Sequence, residues 1–190
     1  MPSFNLLDRA AGEFETRLRL VSDAQRDLPT PCEGLSVTGL VAHQVIGMRG
    51  FTLLVEGRPG EGAAALEAEG IGSPDWLDAF CGAYEAMREA FDAPGALERS
   101  VTHPLMGEIP ASMLFEIRIG ELAIHAWDLA RAIGADETLD SELIAALWAF
   151  AKPIEGMLAS LGVFGTGASG TVGESAPLQT RLLDLLGRRP

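Results

Sequence analysis

Apolar residues recur at helical spacing in the first part of the chain. Successive members of one apolar set are three, four or seven places apart, and charged residues fall elsewhere on the helical wheel; the set is Phe4, Leu7, Phe14, Leu18 and Val21. This spacing predicts an amphipathic helix over residues 4–28. Two prolines and a glycine in the segment that follows, LPTPCEGLS, exclude a continuous helix there.

Four further helices are predicted from apolar runs that have a start or stop signal at their ends. They run from about Val37 to about Val55 behind an N-cap at Ser36, from Ser73-Pro74 to Asp92, from Pro110 to Gly134, and from Asp140 or Ser141 through a kink or break at Pro153. RLLDLLGRR, near the C-terminus, is predicted as a short closing helix.

The segments between these helices have the composition of connections. EGRPGEGAAALEAEGIGSPD is poor in bulky apolar residues, so we predict a surface connection with a helical turn around Ala63–Ala68. ALERSVTHPLMGEIP is predicted as a loop with a short extended piece. The whole pattern predicts an all-α fold, a four-helix bundle with an extra C-terminal helical segment, as a single domain over residues 1–190.

Composition and charge indicate which classes of partner are excluded and in which cellular compartment the protein is expected. The formal net charge of the 190 residues is −13, so nucleic acid and an anionic membrane surface would both be repelled. No run approaches the ~20 apolar residues that a membrane-spanning helix needs. The first residues lack the apolar core of a secretory signal, and Cys32 and Cys81 have no CxxC spacing. We therefore expect a cytoplasmic protein with free thiols.

The predicted fourth helix carries the first candidate chemistry. Glu121 and His125 are four positions apart, so both side chains lie on one face of the helix and can chelate one metal ion. His43, in an apolar stretch of the second helix, is the candidate third ligand, whereas His103 lies in a polar loop and is less well supported. On the pattern alone two alternatives stay open: a chance surface pair on the fourth helix, and a hydrogen-bonded core histidine on the second.

Two side chains near these positions each have two interpretations. Asp128 shares the stripe of His125 and could orient its imidazole as a hydrogen-bond acceptor, or it could form a salt bridge with Arg131 or Arg118. Cys32 lies just before the second helix, where the pKa of a thiol can be lowered. We interpret Cys32 as a small buried residue that packs the loop.

Two blocks of the sequence resemble one known family. Residues 30–37, TPCEGLSV, followed by LVAH ending at His43, are similar to the signature TPCxGWxVxDLxxH, and residues 120–134, GELAIHAWDLARAIG, are similar to ExxxHxWDLAxAxG. Both signatures belong to the actinobacterial mycothiol-dependent maleylpyruvate isomerase N-terminal domain family, within the DinB-like superfamily. APLQTRLL also resembles the end of single-domain members, so the resemblance covers nearly the whole chain.

The resemblance implies a DinB-like bundle that holds a divalent metal through His43, Glu121 and His125, most often zinc, with nickel as the alternative. Three protein ligands leave an open position, which the low-molecular-weight thiol mycothiol would occupy. Zinc lowers the pKa of a bound thiol. The thiolate could then attack a small electrophile, adding reversibly to a cis double bond in an isomerase or forming a conjugate in a transferase.

The chain also departs from the family pattern. Leu35 replaces the usual tryptophan and Gly39 the usual acidic residue, which we interpret as changes in packing and capping. The isomerase itself resembles this bundle plus a C-terminal domain for which this chain has no room, so the resemblance does not specify maleylpyruvate as the substrate. A non-catalytic metal-binding or stress-related bundle, or a metal-free bundle, are the alternatives. The stripe of Trp148, Phe150 and Met157 fits either the core or a homodimer interface.

Overall fold

The computed structural model describes residues 3–58, 71, 75–162 and 164–190. Within these residues the chain forms α-helices and one β-hairpin. The helices are α1 (Phe4–Leu18), α2 (Val37–Val55), α3 (Trp76–Asp92), α4 (Ala111–Ile133), α5 (Ser141–Ala151), α6 (Glu155–Leu161) and α7 (Leu178–Leu185), and the strands are β1 (Ser100–His103) and β2 (Gly107–Pro110). The predicted all-α class is confirmed.

Helices α1 to α4 form the bundle, in which α1 packs along α4 and α2 packs along α3. Buried aromatic rings join the helices: Phe14 of α1 stacks on Phe80 of α3 with ring centroids 5.0 Å apart, and Phe91 of α3 meets Phe115 of α4 edge-on at 5.1 Å. Helix α5 packs against both α4 and α7. The centre of α4 is therefore covered on several sides, and nearly all of its side chains from Leu122 to Ala130 are buried.

Several predicted helix ends are confirmed. The hydroxyl of Ser36 accepts a hydrogen bond from the Gly39 amide at the start of α2, and the Asp140 carboxylate caps α5. Gly134 ends α4 in the left-handed conformation, with φ of +70°. Asp75 caps α3, whereas Ser73 and Pro74 lie outside the described residues, as does the turn expected at residues 63–68.

The first helix is shorter than the prediction of residues 4–28, because it ends at Leu18. Ser22 and Gln25 instead form a capping box around a short 3₁₀ helix, Asp23–Gln25. The side-chain amide of Gln25 also donates to the carbonyl oxygen of Ile133, at 3.0 Å. These side-chain hydrogen bonds compete with continuation of the helix, and they tie this turn to the end of α4.

The extended piece predicted before α4 is an antiparallel hairpin. Its register pairs Val101 with Ile109, both of which are buried against the core. Gly107 starts the return strand at a φ of +69°, where a glycine is favoured. The amide of Ala111 then donates to the carbonyl oxygen of Arg99, at 2.8 Å, so the hairpin sets the point at which α4 begins.

The predicted break at Pro153 is confirmed, because a 3₁₀ turn at Lys152–Ile154 separates α5 from α6. By length and composition alone, the segment Ser141–Leu161 is apolar enough to cross a membrane, so the expectation that no run approaches this length was wrong. One such segment is weak support for a membrane protein, since a helix of a soluble bundle passes the same test. Trp148 and Phe150 of this segment are half-buried and Met157 is exposed.

Candidate metal centre

The three predicted metal ligands lie together between α2 and α4. One ligand atom each from His43, Glu121 and His125 lies within 4.8 Å of the other two. His43 Nε2 is 3.9 Å from Glu121 Oε2, and the two imidazole rings meet edge-on with centroids 5.1 Å apart. Two imidazoles and one carboxylate form a donor set that zinc uses in catalytic sites. The residues present therefore fit the metal that the resemblance implies.

The cluster is open to solvent on one side. The side chain of His125 is buried and that of Glu121 is only 12% exposed, but 42% of the His43 side chain is accessible. A small molecule could therefore approach the cluster past the edge of His43. An accessible position of this kind distinguishes catalytic metal sites from closed structural ones.

Asp128 orients His125, as one of the two sequence interpretations expected. His125 Nδ1 lies 2.9 Å from Asp128 Oδ2 in the buried interior. Burial alone would raise the pKa of Asp128, but its hydrogen bonds to His125 and Arg188 outweigh this effect and hold the pKa below its ordinary value. Because a carboxylate only accepts, Nδ1 carries the proton and Nε2 is free to bind a metal.

The ion-pair partner of Asp128 is a residue that the sequence analysis did not identify. In the described part of the chain, Asp128 pairs with Arg188, at 2.6 Å, and not with Arg131 or Arg118. Arg188 follows α7 and lies far from Asp128 in sequence. No helical spacing links the two residues, so the pattern carried no sign of this contact.

Arg118 lies behind Glu121 and is also fully buried. Its Nη1 is 3.2 Å from Glu121 Oε2, and its Nη2 donates to the side-chain oxygen of Gln44 on α2. Burial alone would raise the pKa of Glu121, but Arg118, with a smaller contribution from His43, lowers it below its ordinary value. Gly47 on α2 is the residue of the sequence that reflects the position of Arg118. A Cβ added at Gly47 would lie 2.8 Å from Arg118 Nη1.

His43 is held in its neutral form. Desolvation by the surrounding protein lowers the pKa of His43 to about 4, although the negative charge of Glu121 works against this shift. The neutral imidazole is the form that binds a metal. Near neutral pH, protons therefore do not compete with a metal ion for this nitrogen.

Cys32 lies closer to the centre than its interpretation as a packing residue implies. Its half-buried sulfur is within 4.8 Å of ligand atoms of His125 and Asp128. Burial raises the pKa of the Cys32 thiol, so the lowered pKa considered for a thiol before a helix is not found. Cys32, His125 and Asp128 thus form a second group of candidate ligands. Because Arg188 already binds the carboxylate of Asp128, this second group is a poorer metal site than the group that contains His43 and Glu121.

His103, the histidine with less support, belongs to neither group of candidate ligands in the described residues. It ends β1, where its ring meets Phe51 edge-on at a centroid distance of 6.3 Å. Its Nδ1 accepts a hydrogen bond from the Leu105 amide at 3.2 Å. His103 therefore serves as an internal control for experiments on the other two histidines.

Comparison with known families identifies the chain. Residues 7–130 match the family model described as the mycothiol maleylpyruvate isomerase N-terminal domain. The chain belongs to this family. The family predicted from the two sequence blocks is thus confirmed, and the matched region contains His43, Glu121 and His125.

Two relatives and two solved structures are similar to this chain. Two uncharacterized proteins, from two strains of Mycobacterium tuberculosis, are each 34% identical over 149 residues, which is 78% of this chain and 76% of the relative. Two crystal structures of mycothiol-dependent maleylpyruvate isomerase, one of them a histidine-to-alanine variant, have TM-scores of 0.64 and 0.61 at 20% and 23% identity. Each match covers 83% of this chain and 70% of the isomerase chain. This likeness confirms the predicted DinB-like bundle fold.

Proposed function

We propose that this chain is a mycothiol-dependent thiol transferase or isomerase. It binds a divalent metal, zinc or nickel, through His43, Glu121 and His125, and it acts on a small electrophile. The observation that carries this proposal is the open cluster of three metal-ligand side chains, with 42% of the His43 side chain exposed. Membership of the mycothiol maleylpyruvate isomerase family supports mycothiol as the thiol. A reducing cytoplasm, where such a thiol stays free, is the expected location.

The protein's own residues prepare the cluster for this chemistry. When bound, zinc lowers the pKa of a coordinated thiol, so that a thiolate is present at neutral pH. The Asp128 carboxylate accepts a hydrogen bond from Nδ1–H of His125, which leaves Nε2 available to a metal. Arg118 keeps Glu121 in its charged form as a carboxylate ligand. Each acidic side chain at the centre thus has a basic partner, and the lowered pKa of His43 keeps its imidazole neutral.

The number of donors favours an exchangeable ligand over a structural ion. Structural zinc sites are closed by four protein ligands, whereas catalytic sites keep three and leave one position for water or substrate. In the described residues the group around His43 contains three metal-ligand side chains, and 42% of the His43 side chain is exposed to solvent. The exposed part of His43 is the side from which a thiol would approach the remaining position.

Cobalt substitution tests whether mycothiol reaches the metal. We expect mycothiol to shift and intensify the visible absorption bands of the cobalt-loaded protein in a saturable way, because a thiolate would enter the coordination sphere. Mycothiol methylated on sulfur is the matched control and should leave the spectrum unchanged. A spectrum that stays constant at saturating mycothiol would rule out this cosubstrate, even if the protein binds cobalt stoichiometrically.

A further inference from the structure

Arg188 reaches the metal centre from the segment that follows α7. Its side chain is buried, and its Nε and Nη2 lie 2.9 Å and 2.6 Å from the two oxygens of Asp128. Nη1 donates to the carbonyl oxygen of Phe164 and lies 3.3 Å from that of Leu186. All three nitrogens of the guanidinium are therefore engaged, and two of them grip one carboxylate as a fork.

The backbone around Gly187, just before Arg188, packs closely against the backbone around Gly165, and this contact places Arg188. Gly187 has a φ of +82°, and a Cβ at this residue would lie 2.9 Å from the amide nitrogen of Thr166. A Cβ on Gly165 would lie 3.3 Å from the carbonyl oxygen of Leu186. Only glycine suits a position with both a left-handed backbone and a neighbour this close. The end of α7 and the loop after α6 thus interlock where Arg188 turns inward.

We propose that Arg188 is a positioning residue for the metal ligand His125. Arg188 fixes the carboxylate of Asp128, and Asp128 fixes the tautomer and the orientation of the imidazole, which leaves Nε2 as the metal-binding nitrogen. This inference rests on the proposed metal site. Partners that orient a ligating histidine raise metal affinity, and their loss typically weakens it about 10- to 100-fold.

A purely structural role would explain this arrangement less well. A buried ion pair contributes little net stability compared with well-packed apolar side chains, because both charges lose their hydration. This pair also touches a candidate metal ligand, since the same Asp128 oxygen that accepts from Arg188 Nη2 lies 2.9 Å from His125 Nδ1. Arg188 lies outside the matched family region, residues 7–130.

Zinc affinity, measured by competition with a chromophoric chelator, tests the proposal. We expect Arg188→Gln to weaken zinc binding about 10- to 100-fold. The matched control is Arg189→Gln: this neighbouring arginine is 55% exposed, contacts Asp184 at 3.4 Å, and should bind zinc as the wild type does. If Arg188 acts through Asp128, then Arg188→Gln should add little to the loss caused by Asp128→Asn. Unchanged affinity in Arg188→Gln, or losses that multiply independently, would overturn the proposal.

A second measurement needs no metal. Nitrogen-15 NMR of the His125 ring in the metal-free protein should find the proton on Nδ1 in the wild type and mixed tautomers in Arg188→Gln, because Arg188 then no longer holds the Asp128 carboxylate against the ring. An unchanged tautomer in a folded variant would mean that Arg188 is only structural. If Arg188→Gln does not fold, Arg188→Lys keeps the charge without the fork, and it should give intermediate affinity and mixed tautomers. Wild-type protein that binds no zinc would contradict the proposed function, and the tautomer would then decide the positioning role alone.

Discussion

Each candidate metal ligand on α4 has a hydrogen bond with one buried charged side chain. His125 is held by Asp128, and Glu121 is held by Arg118. The residues of α4 could be predicted because positions three and four apart share a helix face. Arg188 could not be predicted, since its contact depends on how two distant segments approach. Sequence spacing therefore predicts that the candidate ligands lie together, but it does not predict the contact of Asp128 with Arg188.

Gly47 and Gly50 on α2 form a matched pair that tests how firmly Arg118 is held. A Cβ at Gly47 would lie 2.8 Å from Arg118 Nη1, whereas a Cβ at Gly50 meets nothing within 4 Å. Since Arg118 is fully buried and hydrogen-bonded to Gln44 and Glu121, its side chain has little room to move. We expect Gly47→Ala to lower the free energy of unfolding by about 1–3 kcal/mol. Gly50→Ala should raise it by about 0.5–1 kcal/mol through helix propensity.

Urea unfolding of the two variants and the wild type measures this difference. Equal stability of Gly47→Ala and Gly50→Ala would mean that Arg118 moves aside easily, and that its contact with Glu121 is not fixed by packing.

Local capping residues fix several of the element boundaries, and these boundaries could be predicted for that reason. Ser36, Gly134 and Asp140 act at the positions expected of them. The early end of α1 could not be predicted, because it depends in part on the contact of Gln25 with the far end of α4. The hairpin was anticipated only as an extended piece, since its register is set by pairing and not by a long alternating pattern.

The contact between α1 and α3 should respond to pH through Asp8. Burial alone would raise the pKa of Asp8, but hydrogen bonds from Arg88, at 2.8 Å, and from Tyr84 hold it below the ordinary value of 3.8. A carboxyl group with a lowered folded-state pKa stabilises the fold above its unfolded pKa. That contribution is lost as the pH falls through the lower, folded-state pKa. Because the side chain is 46% exposed, the contribution at neutral pH is at most about 1 kcal/mol.

Asp8→Asn should therefore be less stable than the wild type at neutral pH, and the difference should vanish in acid below the folded-state pKa of Asp8. Urea unfolding at a series of pH values measures it, with Asp27→Asn at an exposed position as the control. A difference that persists unchanged in acid would show that the variant acts through packing and not through charge.

The described part of the molecule has a large apolar core to which the three candidate metal ligands do not contribute. A domain of this size buries roughly 70% of the surface that its unfolded chain exposes, and the aromatic contacts between α1, α3 and α4 involve no candidate ligand. We therefore expect the bundle to fold without metal, unlike a small zinc domain. Family and fold could be predicted because two long sequence blocks carry them. The homodimer stays a prediction, since nothing in a single chain tests it.

The metal content of untagged protein, measured by elemental mass spectrometry, decides whether His43, Glu121 and His125 hold a metal ion. The wild type should be measured beside His43→Ala and His125→Ala, with His103→Ala as the control for loss of a histidine. The account predicts about one zinc or nickel per chain in the wild type and in His103→Ala, and loss of the metal in both ligand variants while the helical content is retained. Wild-type protein that is metal-free and resists reconstitution, or full metal retention in both ligand variants, would contradict the account.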